Sequence, residues 1–255
     1  MANQIKIYYR NILETGTVTS TDENTSFPRY RLYDRDIGKL FKFNSHGANL
    51  YIQVNQGAVI SYPVDRLIIP AGHTLNGLGL LISASATGAW AGEQVNYASW
   101  TQADALVINV PFGPATYQYW RLVILSDPAA PPEMPEMFLS KEYIFVANPL
   151  LGGREGWQRN ISGEETETGL DRDVKRGELR RRRDYELRDI ASAQKTEFET
   201  MEQVCEGIKP IWILDHNGTR LYMKMLNELE FSYDTDDPVS YSCALHLREV
   251  LGQTT

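Results

Sequence analysis

Cysteine is nearly absent from this chain, because only Cys205 and Cys243 occur among its 255 residues. Two cysteines cannot build the multiple-disulfide framework that stabilises many small secreted domains. Neither belongs to a CxxC pair or to a Cys/His cluster, so a zinc or thioredoxin-like site is not expected. We predict two buried free thiols in a protein that folds in the cytosol, and one disulfide between them stays open as an alternative.

Long hydrophobic runs are missing as well. No stretch approaches the roughly 18–20 apolar residues that a membrane span requires. The start of the chain, MANQIKIYYRN, lacks the continuous apolar core of a secretory signal. We therefore expect no membrane partner and no export through the Sec route.

The short motifs of common enzymes and cofactor-binding proteins are also absent. The sequence holds no Walker sequence, no GxGxxG that opens a helix and no GxSxG. Its histidines are scattered, and none has a second ligand two to four residues away: His46, His73, His216 and His246. We predict that the chain is not an enzyme and has no catalytic residue, no cofactor and no metal site.

Basic residues are concentrated in GELRRRRDYELRDI (177–190), although the formal net charge of the chain is −8. Between Asp171 and Asp189, eight basic residues are interleaved with six acidic ones, so the local charge is only +2. Nucleic acid is not the expected partner, because phosphate neutralisation favours a basic block with few carboxylates. In a β-strand, alternation would place charged residues alone on one face. We predict an exposed strand face or an assembly interface formed by Arg180, Arg181, Arg182, Arg183 and Tyr185.

The first half of the sequence is typical of an all-β domain. Short apolar runs are separated by Gly, Pro, Asn and Ser, and ANLYIQVNQ alternates through Leu50, Ile52 and Val54. Helix signals are almost absent before residue 150. The pattern predicts a β-sandwich of the jelly-roll type over residues 1–149.

The rest of the chain has a different pattern. Residues 150–175 are rich in glycine and charge, which predicts a linker or an extended loop. Residues 176–255 predict a smaller α+β, split-barrel-like domain with one helix, SAQKTEFETMEQVCEG, which Ser192 would cap and Gly207 would end. The dipeptide Asn217-Gly218 predicts a type I′ hairpin turn. The predicted fold class is thus mainly β.

One aromatic cluster, TGAWAGEQVNYASWTQ, lies in a stretch of small and polar residues that we interpret as a loop region. Aromatic side chains on sandwich loops can stack on sugars or anchor a protein partner. Core packing beneath a long loop is the alternative. The candidates for a glycan or partner contact are Trp90, Tyr97 and Trp100.

Two parts of the chain resemble known families. RLYDRDIGKLFKFNS, LYIQVNQ, DRLIIPAGHTLNGLGLLIS and QYWRLVI together resemble a galactose-binding-like (discoidin-type) jelly roll of the kind found in tailed-bacteriophage structural proteins. RRRDYELRDIAS, KPIWILD and the run that ends in LHLREVL are similar to the β modules of distal-tail and tail-tube proteins.

The resemblance implies a structural component of a phage tail or baseplate, assembled in the host cytoplasm and located in the virion. Its partners would be itself, in a ring-type homo-oligomer, and other tail proteins. The alternative function is a carbohydrate-binding module that recognises host or environmental glycans through Trp90, Tyr97 and Trp100.

Overall fold

The computed structural model describes the backbone of residues 4–57, 62–144, 154–158, 161–165, 171–175, 180–215, 217–233 and 240–250. It divides into two compact units. Residues 10–143 form one, here termed the sandwich unit, whereas residues 1–9 and 144–253 form the other, here termed the C-terminal unit. The described helices are not long and apolar enough to cross a membrane.

The sandwich unit consists of short antiparallel strands and two short helical turns. The helical turns are α1 (Ile12–Thr15) and a 3₁₀ turn (Arg29–Leu32). The strands are β2 (Thr17–Ser20), β3 (Phe41–Lys42), β4 (Leu50–Asn55), β5 (Val64–Ile69), β6 (Gly79–Ser85), β7 (Val95–Thr101), β8 (Ile108–Ala115), β9 (Tyr119–Ile124), β10 (Glu133–Met134) and β11 (Phe138–Ser140).

These strands build a five-stranded sheet facing a three-stranded sheet. The first has the order β2-β4-β9-β6-β7 and the second the order β11-β5-β8, while β3 pairs with β10. Non-sequential neighbours in both sheets are typical of a jelly roll. The predicted β-sandwich is therefore confirmed.

The core of the sandwich unit follows from strand alternation. Strand β4 buries Leu50, Ile52 and Val54, whereas the residues between them are partly exposed. Strand β9 likewise buries Trp120, Leu122 and Ile124. One face of the five-stranded sheet is thus apolar and covered, which leaves the opposite face available for polar side chains.

The C-terminal unit contains a mixed set of short and long strands and one helix, α2 (Ser192–Cys205). Its strands are β1 (Lys6–Tyr8), β13 (Arg154–Gln158), β14 (Ile161–Glu165), β15 (Asp171–Lys175), β16 (Arg180–Ala191), β17 (Ile211–Leu214), β18 (Arg220–Met225), β19 (Ser232–Tyr233) and β20 (Ser240–Glu249). Strand β12 (Tyr143–Ile144) lies at the boundary between the units.

The main sheet of this unit runs in the order β1-β17-β18-β20-β16-β13, and β19 also pairs with β20. Helix α2 contributes Phe198, Met201 and Cys205 to the core under this sheet. Within the described residues the sheet does not close into a barrel. The predicted α+β architecture with one helix is confirmed. The predicted capping role of Ser192 is wrong, because Ser192 is the first residue of the helix and Ala191 is its N-cap.

The units differ from the predicted division at 1–149, 150–175 and 176–255. Strand β1 pairs with β17, so the first residues of the chain belong to the C-terminal unit. Within the predicted linker, β13 pairs with β16 and β14 pairs with β15. The glycine and charge content of this segment therefore does not prevent regular pairing in its described parts.

The arginine run forms β16, an interior strand between β13 and β20. Arg183 and Tyr185 are buried, whereas Arg180, Arg181 and Arg182 are partly exposed. The guanidinium of Arg183 lies 3.4 Å from Asp215, which is fully buried. The alternation predicted for this strand is correct, but the inward face serves the unit's own core. An assembly role for the outward face stays a prediction.

The hairpin between β17 and β18 is present, although its turn is not of type I′. In a type I′ turn centred on Asn217 and Gly218, neither of these residues would donate the hydrogen bond that closes the turn. Here the amide of Gly218 itself donates to the carbonyl of Asp215 at 2.9 Å, and the amide of Asp215 donates to the carbonyl of Thr219 at 3.0 Å. Instead, the amide nitrogens of Asn217 and Thr219 donate to Oδ1 of Asp215 at 2.9 and 2.8 Å. This side chain therefore replaces the predicted dipeptide as the organiser of the turn.

Candidate functional site

A polar row crosses the outer face of the five-stranded sheet in the sandwich unit. In register, Thr19 on β2 lies opposite Gln53 on β4, Gln53 opposite Arg121 on β9, Arg121 opposite Ser83 on β6, and Ser83 opposite Asn96 on β7. Residues that are directly opposite share one face of a sheet. The row therefore spans all five strands on the side that faces away from the apolar core.

Arg121 lies between two aromatic rings at the centre of this row. Its guanidinium carbon is 4.0 Å from the ring centroid of Tyr51 and 3.8 Å from that of Trp90. Gln53 joins the same group, because its Oε1 accepts from Trp90 Nε1 at 2.9 Å and from Arg121 Nη2 at 2.6 Å. Tyr51, Gln53, Trp90 and Arg121 are here termed the Arg121 patch.

Trp90 reaches the patch from the β6–β7 loop, which Glu93 holds in shape. Glu93 Oε1 accepts from the hydroxyl of Ser85, from the hydroxyl and amide of Thr87 at 2.8 and 3.0 Å, and from the amide of Ala89 at 3.0 Å. The hydrogen bonds from Ser85 and then Thr87 lower the pKa of Glu93 to about 2. The ionised carboxylate therefore stabilises the loop above pH ~4.5, and this stabilisation is lost as the pH falls towards 2.

Gly88 allows this loop to lie directly on the sheet. Its φ is +85°, and a Cβ at this position would be 3.0 Å from the ring of Tyr119. A larger residue would meet both a strained backbone conformation and a contact tighter than normal packing. The close approach at Gly88 is what brings Trp90, two residues later, down onto Arg121.

The electrostatic surroundings of Arg121 differ from those of three other poorly exposed arginines, Arg35, Arg66 and Arg183. Arg35, Arg66 and Arg183 pair with Glu14, Glu142 and Asp215, respectively. Arg121 forms no ion pair with a carboxylate of the described residues, and its Nε is buried without a hydrogen-bond partner there. Burial lowers the pKa of Arg121, and the nearby hydroxyl of Tyr51 raises it by a smaller amount. A cation in a partly desolvated position thus contacts the amide of Gln53 and the rings of Tyr51 and Trp90.

Of the three aromatic candidates from the sequence, only Trp90 lies in the patch. Tyr97 and Trp100 lie in β7 and not in a loop, and both pack against the core of the sandwich. The ring of Tyr97 is 5.2 Å from that of Trp120, and burial together with the hydrogen bond to Tyr117 raises its pKa to about 12. The three residues are therefore not brought together, and core packing accounts for two of them.

The structure adds three residues that sequence inspection missed, namely Tyr51, Gln53 and Arg121. Each lies at an outward position of a predicted strand, and Arg121 is about 70 residues from its partners on β4. The only sequence signal was an arginine and an amide at polar positions of otherwise apolar strands. That signal does not reveal which strands are neighbours.

The three histidines that the structure describes lie apart, each with its own partner. His46 lies 3.2 Å from Asp127, His73 lies 2.8 Å from the carbonyl of Leu106, and His246 lies 2.8 Å from Asp184. His216 is outside the described residues. No group of three or more metal-ligating side chains occurs in the part of the chain that the structure describes.

A groove of about 730 Å³ lies in the C-terminal unit, along β16 and β20. Its lining is mostly polar and includes Glu186, Arg188, Glu228, Glu230 and His246. Cys205 and Cys243 are buried thiols in this unit, and burial raises the pKa of Cys243 to about 12. A thiol in this environment is not ionised at neutral pH and is a structural residue, as the sequence predicts.

No protein-family model and no curated protein matches this sequence. Among solved structures, it is similar to chitosan-binding module 1 of a chitosanase/glucanase from Paenibacillus sp. IK-5, with 16% identity, a TM-score of 0.46 and coverage of 52% of this chain and 99% of that one. Module 2 of that enzyme, in complex with chitotriose, is also similar, with 12% identity and a TM-score of 0.44. The match covers 51% of this chain and 100% of that one.

A third similar structure is the family 32 carbohydrate-binding module of NanJ from C. perfringens, in complex with galactose. It shares 16% identity with this chain at a TM-score of 0.44, over 53% of this chain and 99% of that one. Each likeness covers about half of this chain. The tail or baseplate role implied by the sequence resemblance stays a prediction.

Proposed function

We propose that the sandwich unit recognises carbohydrate through the Arg121 patch. The observation that carries the proposal is the position of Trp90, which is partly exposed on a sheet face and fixed by three contacts. Its ring rests on Arg121, its Nε1 donates to Gln53, and its loop is held by Glu93. A rigid aromatic ring at the surface loses little entropy when it binds a ligand.

The chemistry of the patch suits a sugar. Aromatic rings offer apolar faces to the C–H groups of a pyranose, and planar polar groups beside them can bind hydroxyls in fixed directions. Here the amide of Gln53 and the guanidinium of Arg121 supply such groups, and Thr19 and Asn96 extend the polar row as exposed side chains. The patch therefore combines one stacking platform with several hydrogen-bonding groups, as ligand sites commonly do.

Replacing Trp90 with alanine is expected to reduce glycan binding by the full-length protein about tenfold or more, since covering the ring with a bound sugar contributes roughly 1.5–3 kcal/mol. Trp90→Phe keeps a ring but loses the bond to Gln53, so it should have an intermediate effect. The assay is a glycan array of neutral, amino and acidic oligosaccharides, followed by titration calorimetry with the best binder.

The matched control is Tyr30→Ala, because Tyr30 is an aromatic residue of the same unit that is 50% exposed and lies outside the patch. It should leave binding unchanged. Equal binding by the wild type and Trp90→Ala would contradict the site, and the lack of any bound glycan would contradict the function.

We also propose assembly as a second function, carried by the C-terminal unit. Tyr233 is 67% exposed, and its ring centroid lies 5.1 Å from that of Tyr241. The ammonium nitrogen of Lys195 lies over the ring of Tyr241, 5.2 Å from its centroid. Exposed aromatic residues are enriched at protein interfaces. In this proposal the chain is a non-enzymatic component of a virion tail, assembled in the host cytoplasm, and contacts itself and other tail proteins.

Assembly predicts a discrete oligomer of the purified chain in light scattering and negative-stain images over a concentration series. Tyr233→Ala should shift that oligomer towards monomer by weakening an exposed aromatic contact. A compact monomer at every concentration, with or without the substitution, would contradict self-assembly.

A further inference from the structure

Arg121 has an unusual combination of rigidity and unused hydrogen-bonding capacity. Both faces of its guanidinium are covered, by Tyr51 on one side and Trp90 on the other. Nη2 donates to Gln53, whereas Nη1 is neither buried nor hydrogen-bonded to a described residue. A ligand can therefore approach only the edge of the guanidinium, in its own plane.

This edge is the part of an arginine that recognises acidic oxygens. Carboxylates and related anions bind guanidinium groups in plane, through short hydrogen bonds that are roughly twice as strong as neutral ones. A neutral hydroxyl can use the same donor but gains no charge pairing. Because the stack fixes the plane, little side-chain entropy is lost when an anion binds.

No carboxylate of the described residues already occupies this position. The acidic residue of the overlying loop, Glu93, is engaged by Ser85, Thr87 and Ala89. Gln53 offers a neutral amide oxygen. The positive charge of Arg121 is thus left uncompensated within the patch, unlike that of Arg35 or Arg183.

Resting on the proposed carbohydrate function, we propose that the Arg121 patch selects sugars that carry a negative charge, with Arg121 binding the acidic group while the sugar ring contacts Trp90. The overall charge of −8 makes general attraction of polyanions unfavourable. Selectivity for an acidic sugar would therefore come from this local site.

The test uses the full chain and pairs of probes that share one sugar backbone and differ in whether it carries the acidic groups. One pair is an oligogalacturonate and its methyl ester, and the other is a sulfated galactan oligosaccharide and its desulfated form. We expect the acidic member of at least one pair to bind ten times more tightly or better. The pair with the larger ratio identifies carboxylate or sulfate as the preferred group.

Arg121→Gln should abolish the difference between acidic and neutral members, and Arg121→Lys, which keeps the charge but loses the planar fork, should reduce it. Circular dichroism checks that both variants fold. The comparison of acidic and neutral probes on the wild-type protein tests the proposal even if a variant does not fold. If the wild type binds each neutral probe as tightly as its acidic partner, charge selection is wrong but carbohydrate recognition stands. If no glycan of the array is bound, the proposed function itself fails.

Discussion

Replacing Asp215 with alanine is expected to destabilise the C-terminal unit by about 3–5 kcal/mol, the usual cost of breaking a buried ion pair. Asp215 is fully buried, accepts from the amides of Asn217 and Thr219 at 2.9 and 2.8 Å, and lies 3.4 Å from Arg183. The substitution removes the turn's organising acceptors and the Asp215 carboxylate that faces the buried guanidinium of Arg183. Both losses act on the same hairpin.

Amide hydrogen exchange over β17 and β18, together with urea denaturation, measures this effect. Glu186→Ala is the control, because Glu186 is an exposed carboxylate on β16 and should change stability by no more than about 0.5 kcal/mol. The double variant Asp215→Ala with Arg183→Met should recover part of the loss, since it replaces the buried guanidinium that Asp215 faced by an apolar side chain. A loss below about 1 kcal/mol in Asp215→Ala would show that the pair does not hold the hairpin.

Replacing Trp120 with alanine is expected to destabilise the sandwich unit by about 3–5 kcal/mol, the range for large aromatic truncations in cores. Trp120 is fully buried and its ring lies 5.2 Å from Tyr97, 5.5 Å from Phe112 and 6.1 Å from Tyr117. Tyr97 and Trp120 come from β7 and β9 of the five-stranded sheet, whereas Phe112 comes from β8 of the three-stranded sheet. Tyr117 lies just before β9, and the cluster therefore joins the two sheets of the sandwich.

Trp90→Ala is the matched control for Trp120→Ala, because it removes the same side chain from the outer face. It should cost much less stability in thermal or urea denaturation while it weakens glycan binding about tenfold or more. If the two substitutions destabilise the protein equally, Trp90 is a core residue and the Arg121 patch is a packing feature.

Local pattern was enough to predict most of the fold. Alternation identified β4 through Leu50, Ile52 and Val54, and helical spacing identified α2. Pairing between distant segments was not predictable from those patterns. Strand β1 joins β17 across about 200 residues, and alternation states only which face of a strand is buried, not which strand lies beside it.

The candidate site was predictable only in part for the same reason. Trp90 was identified because an aromatic residue among small and polar neighbours is conspicuous. Tyr97 and Trp100 share that context but belong to β7, whose inward positions face the core. Arg121 and Tyr51 gave no local signal, since their significance depends on the pairing of β4 with β9 and on the loop that lies over them.

The most direct measurement is a nuclear magnetic resonance titration of the full chain with the best-binding oligosaccharide of the array. The indole N–H of Trp90 and the Nε–H of Arg121 report on the patch, and the indole N–H of Trp120 reports on the buried core. Carbohydrate recognition at the Arg121 patch predicts saturable shifts of the first two signals and none of the third. Shifts confined to the groove along β16 and β20, with Trp90 and Arg121 unchanged, would contradict it.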